Sequence, residues 1–212
     1  MKSNIFHFRF SIVLLLSVIT LFSYSSSEND YNIKVYFIYG SKPGKGYKKT
    51  ESKYFGGIHG GHVKVQTENF VAGFNPNGRL HIFSHKKEIH GMWCEEFLGY
   101  DSVKMTVFTI PVSKQTHDSA EMIIKKYLLA SPYDYAFFGM RCASAAYDLM
   151  SQVGIFKKRS KCGMIWVYFY PKLVRNLLFK SAKDKNITIE HFKGKVSRKW
   201  ESDKTKYLPQ LE

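Results

Sequence analysis

The sequence predicts an α+β domain in which a small antiparallel sheet packs against helices. Three observations carry this. β-Branched and aromatic residues alternate with polar ones over 31–39, 62–67, 70–75 and 102–112. Residues 113–130 and 141–154 place apolar side chains at the helical period. No internal repeat or linker divides the chain, and 212 residues suffice for one domain with a sizeable core.

Residues 1–27 precede that domain. Lys2 and Arg9 make a positive start, Ser11 to Phe22 is an apolar run, and Ser23, Ser25, Ser26 and Ser27 follow it. This is the layout of a secretory signal peptide, and the run is short for a membrane span. No cysteine follows it, so a lipoprotein anchor is not expected. Export to the periplasm or the extracellular space is expected instead. Cleavage removes two basic groups and no acidic one, which lowers the formal charge from +15 to +13. Such a surplus favours an anionic partner, such as a cell envelope or a lipid surface. The lysines are spread along the chain without a recognition motif, so nucleic-acid binding is not expected, whereas peripheral membrane contact is compatible with the charge.

Taken in order, Tyr31 to Tyr39 reads as the first strand. Gly40 to Gly57 is a lysine-rich loop. Its GSKPGKG does not have phosphate-loop spacing. His62–Thr67 and Phe70–Asn75 read as a hairpin about the turn Glu68–Asn69. Thr67 then faces Phe70, and Val63, Val65 and Thr67 share an apolar face with Phe74, Ala72 and Phe70. The other face carries His62, Lys64 and Gln66, with His62 directly across from Asn75. Arg79 to Ser84 is a third short strand, and His85 to Tyr100 an irregular or partly helical insert. Ser102 to Val112 is a strand. Ser113 caps a helix that reaches Ala130, and Ser131-Pro132 breaks it. The aromatic connector YDYAFFGM is expected to pack under the next helix. Gly163 to Tyr170 reads as a strand, Pro171 to Ala182 as a short helix with proline in its first turn, and Asn186 to Phe192 as a last strand. Asn186-Ile-Thr is a glycosylation sequon, relevant only in a eukaryotic secretory route.

The chemistry centres on Arg141 to Gly154. Ala146, Leu149, Met150 and Val153 form a buried stripe, and Gly154 is a natural stop. Cys142 opens this helix. Unpaired backbone N–H groups and the helix dipole favour its thiolate, and Arg141 adds positive charge. Three cysteines in an exported chain suggest one pair: Cys94 with Cys162 would leave Cys142 free, and all three reduced is the alternative. The pairs His59/His62 and His81/His85 stand in no C-x-x-C or H-E-x-x-H frame, so no metal site is expected.

Two pieces, GGHVKVQTENFVAGFNP and YDYAFFGMRCASAAYDLMSQVG, resemble the circularly permuted branch of the papain-like superfamily. That branch includes NlpC-type cell-wall peptidases and relatives of lecithin:retinol acyltransferase. The resemblance covers about half of the mature chain. It implies a single permuted papain-like domain over 28–195, with the histidine strand before the cysteine helix and a charged tail at 196–212. It implies Cys142 as nucleophile, His62 as general base and Asn75 as the residue orienting the histidine. His59 and His81 are the alternative imidazoles. Arg141 and Gln66 are the neighbouring side chains, and Arg141 departs from the Asn-Cys pair of many relatives, which leaves its part in binding the oxyanion open. The implied activity is thiol-dependent acyl transfer on an amide or ester, by an amidase, a peptidase or a lipid acyl hydrolase, with no cofactor. The expected substrate is an anionic envelope component, peptidoglycan or lipid. The alternatives are a catalytically inactive binding module on the same fold and a structural envelope protein.

Overall fold

A computed structural model describes residues 31–39, 61–78, 81–97 and 103–194. The expected signal peptide, the lysine-rich loop, His59 and the charged tail lie outside these residues.

Alternation places an apolar face on each of the first three strands. Ile33, Val35 and Phe37 come from β1 (Tyr31–Tyr39), and Val63 and Val65 from β2 (Gly61–Gln66). Ala72 and Phe74 come from β3 (Val71–Pro76). Four further strands are β4 (His81–Phe83), β5 (Gly91–Glu95), β6 (Met105–Val112) and, after the helices, β8 (Thr188–Phe192). Six strands form one antiparallel sheet in the order β5-β3-β2-β1-β6-β8. β4 stands apart and pairs in parallel with β7 (Ala136–Phe138), His81 beside Ala136 and Phe83 beside Phe138.

The expected α+β class holds, with a sheet of six strands. Within it, the hairpin register is the expected one: Gln66 pairs Val71, Val65 pairs Ala72, and the Thr67 N–H bonds the Phe70 carbonyl. Three expected elements are corrected. The insert 85–100 contains β5, where Gly91 and Trp93 are buried while Met92 and Glu95 are exposed. The stretch 163–170 is not a strand, because Ser160 accepts the Gly163 N–H and starts α3 (Lys161–Val167). The third strand shortens to β4 and leaves the main sheet altogether.

Helices α1 (Lys114–Leu129), α2 (Cys142–Gln152) and α4 (Pro171–Ser181) complete the domain. Ser113 caps α1 through its side chain. α2 is the central helix and touches β2, β3, α1, α3 and α4. Its small residues Ala143, Ala145 and Ala146 allow that close approach, and all three are buried. Leu149, Met150 and Tyr147 fill the core, and Tyr147 stacks on Tyr168 and Phe156. Each such side chain contributes about 1.5–3 kcal/mol by leaving water, which anchors the helix bearing Cys142. Gly154 has a φ of 80°, so the helix ends on a left-handed glycine as expected. Among the described residues no helix is long and apolar enough to cross a membrane.

Candidate active site

The ladder between β2 and β3 ends at Lys64 and Gly73. Beyond that pair, β2 continues along β1, with His62 opposite Ile38, while β3 continues along β5, with Asn75 opposite Met92. The two strands part, and the mouth of α2 fills the gap. Odd-numbered residues of β2 turn their N–H groups toward β3, as the Thr67 bond shows. Val63 therefore has an N–H freed by the parting, and it reaches the Cys142 sulfur. The sulfur also lies 4.0 Å from the Gly61 carbonyl oxygen.

His62 lies beside that sulfur, close enough for each group to favour the charged form of the other. Its Nε2 lies 2.6 Å from Glu96 Oε1, so Nδ1 is the nitrogen left to face Cys142. Glu96 follows β5 and is the residue that holds the ring. Lys64 Nζ donates to its Oε2 at 3.0 Å, and Asn75 Nδ2 donates to its Oε1 at 2.6 Å. Asn75 also donates to the Cys94 sulfur at 3.2 Å. The expected direct His62–Asn75 pair is thus corrected. The strands separate before the two residues can face each other, and Asn75 acts on the ring through Glu96. Gly73 makes room for this arrangement: a Cβ there would lie 2.1 Å from Glu96 Oε1 and 2.8 Å from His62 Nε2.

The charges support one another. Burial opposes the thiolate of Cys142, but the His62 bond and charge, the Arg141 charge and the Val63 N–H outweigh it, so the thiol lies below its usual value. Burial likewise opposes the imidazolium, but the contacts with Cys142 and Glu96 outweigh it, so His62 is raised. Burial opposes the Glu96 carboxylate too, yet His62, Asn75 and Lys64 hold it far below the ordinary range. All three shifts favour a thiolate–imidazolium pair backed by a carboxylate.

Arg141 is the residue before α2, and its N–H bonds Ser144 Oγ at 2.8 Å. Its guanidinium lies over the Phe169 ring at 4.3 Å and the Phe137 ring at 5.5 Å. Held there, it acts on the sulfur as a fixed charge. Tyr135 lies beside it. Burial and the Cys142 charge outweigh the opposing Arg141 charge and keep that phenol protonated. It retains its own proton to donate.

The remaining expected residues lie elsewhere. Gln66 shares the His62 face but stands four residues along β2, roughly 13 Å away at strand rise, and the Tyr36 hydroxyl bonds it. His81 does not reach the site, because its Nδ1 is bonded to buried Asp134 at 2.7 Å. The expected disulfide is not formed: Cys94 is a half-buried thiol on β5 and Cys162 an exposed one on α3. Glu96 and Tyr135 are the residues that sequence reasoning missed. Glu96 follows Trp93 in an alternating run that was the available signal. Tyr135 lies in the aromatic connector, and nothing local sets it apart. Among the described residues one group of metal-ligating side chains stands together, His81, His85 and Glu88, away from the sulfur on the β4–β5 loop.

Compared with family models, with curated proteins and with solved structures, the chain matches none.

Proposed function

We propose that this protein is an exported thiol hydrolase or acyltransferase with a papain-like core in permuted order. The observation that carries the reading is the convergence of the Cys142 sulfur, the His62 ring and the Glu96 carboxylate at a helix mouth. The permuted order is supported by His62 lying on β2, ahead of the helix that Cys142 opens.

The thiolate attacks the carbonyl carbon of an amide or ester. The tetrahedral oxyanion takes hydrogen bonds from the Cys142 N–H and the Tyr135 hydroxyl. As the C–N or C–O bond breaks, His62 gives its Nδ1 proton to the departing amine or alcohol, leaving a thioester on Cys142. Water or another acceptor then attacks the thioester, His62 takes its proton, and the thiolate leaves. Glu96 holds the ring in place and stabilises its charge throughout. The residues described need no cofactor for this sequence.

The substrate proposed is an anionic envelope component, peptidoglycan or lipid. The formal charge of +13 left after signal-peptide cleavage supports it. A row of exposed aromatic rings near the site favours contact with an anionic lipid surface. Phe83, 66 % exposed, stacks on Phe138, and Phe138 lies 6.0 Å from Trp166, which is 62 % exposed. Phe138 is four residues before Cys142. Lys86, Lys87 and Lys161, all exposed, flank the row in sequence.

Hydrolysis of peptidoglycan fragments and of phospholipid vesicles by the wild type and Cys142→Ala tests the reading. Turnover lost in the variant, with its circular dichroism unchanged, is expected. Equal turnover in the variant overturns the assignment.

A further inference from the structure

The loop between β4 and β5 is built around one carboxylate that the acyl chemistry does not use. Asp134 is fully buried beside the start of β7. Its Oδ2 accepts the His81 Nδ1–H at 2.7 Å and the His85 backbone N–H at 2.9 Å. Its Oδ1 accepts the His90 backbone N–H at 2.7 Å. One side chain therefore closes the loop and fixes the His81 tautomer. With Nδ1 bonded to Asp134, Nε2 is the His81 nitrogen that remains for a cation. A carboxylate behind a histidine in this way orients the ring and raises its basicity as a metal ligand. His85 and Glu88 lie next to it, and one ligand atom from each of the three residues lies within 4.8 Å of the others. Glu88 is itself held by His90 Nε2, 3.1 Å from its Oε1.

We propose that His81, His85 and Glu88 bind a first-row transition-metal ion of the zinc type, independently of the chemistry at Cys142. Two imidazoles and one carboxylate suit that class, whereas calcium and magnesium take oxygen ligands. Metal–ligand bonds of about 2.0–2.2 Å require the three atoms to close up by about an ångström. The two residues that must move are the exposed ones, His85 and Glu88. The His85 ring now stacks on His81 at 3.9 Å and 13°. Their lone pairs run side by side in that arrangement, so ligation turns the His85 ring off the stack. Lys86 and Lys87 are exposed on the same loop and oppose the cation, which sets the affinity below that of a closed structural site. Because β4 pairs with β7, which leads directly into α2, the ion braces the connector in front of the nucleophile.

The test is calorimetric titration of zinc ion into chelator-stripped full-length protein carrying Cys142→Ala, which removes the competing thiolate. One ion per chain is expected. A second protein that adds His85→Ala and Glu88→Gln should bind about tenfold or more weakly. Both added substitutions are at exposed positions, and an unchanged circular dichroism spectrum confirms the fold. Absence of binding, or equal affinity in the two proteins, overturns the site. Neither result bears on Cys142, because every protein in the comparison lacks that thiol.

Discussion

Glu96→Gln isolates the role of the carboxylate behind His62. The substitution keeps the shape and an acceptor for Nε2 but removes the charge. The Glu96 side chain is 14 % exposed, so solvent screens it little. Exchanging a hydrogen bond to a charged group for a neutral one costs about 1–1.5 kcal/mol, and that cost falls on the imidazolium state. The equilibrium constant for the thiolate–imidazolium pair against the neutral pair should therefore drop about 5- to 13-fold. The rate of iodoacetamide alkylation at Cys142, followed by peptide mapping to separate Cys94 and Cys162, reads this population directly. Its pH profile also moves. In the wild type Cys142 is lowered and His62 raised, so the pair exists over the window between the two titrations. Without the carboxylate charge His62 falls and Cys142 rises, and the window narrows from both sides. Folding stability follows the same sign. A carboxylate held low in the folded state contributes stability above its unfolded value of about 4.3, lost as pH falls through the folded value. Glu96→Gln should thus destabilise the protein at neutral pH and lose that penalty in acid. An alkylation rate within twofold of wild type, with an unmoved profile, would refute the reasoning.

Two further substitutions probe the surroundings. Gly73→Ala places a methyl group where Glu96 Oε1 and His62 Nε2 now meet. The Glu96 side chain is pushed off His62, Asn75 and Lys64, so we expect a drop of about tenfold in alkylation rate and a lower melting temperature at neutral pH. A rate equal to wild type contradicts the close packing. Phe83→Ser with Trp166→Ser should lower partitioning onto vesicles of anionic phospholipid by about tenfold or more, with neutral vesicles binding weakly in either case. Unchanged partitioning removes the proposed lipid contact.

Much of the scaffold was readable because short-range signals coincide with it. The Ser113 cap, the 3.6-residue stripe of α2, its Gly154 stop and the two-residue hairpin turn are all local, and all hold. One difference is itself local: the aromatic run 163–170 looks extended, yet the Ser160 cap starts a helix there. The others were decided by long-range packing. Opposition of His62 and Asn75 followed from hairpin arithmetic, but that arithmetic continues only while the strands stay paired. Insertion of α2 separates them one residue after Lys64 and Gly73 on the His62 side. Glu96 reaches His62 across β3, from a strand that an unremarkable polar insert concealed. His81 and His85 were seen as a pair, whereas Asp134, which gathers them, lies some fifty positions later and no motif connects it to them.

The proposed chemistry requires a thiolate at Cys142 stabilised by His62. Ultraviolet thiolate absorption, titrated against pH as the difference between wild type and Cys142→Ser, measures this without a substrate. The expected curve shows thiolate forming well below the ordinary cysteine value of about 8.5, and His62→Gln returns it toward that value. A Cys142 that ionises no earlier than a model thiol, or one indifferent to His62, contradicts the account.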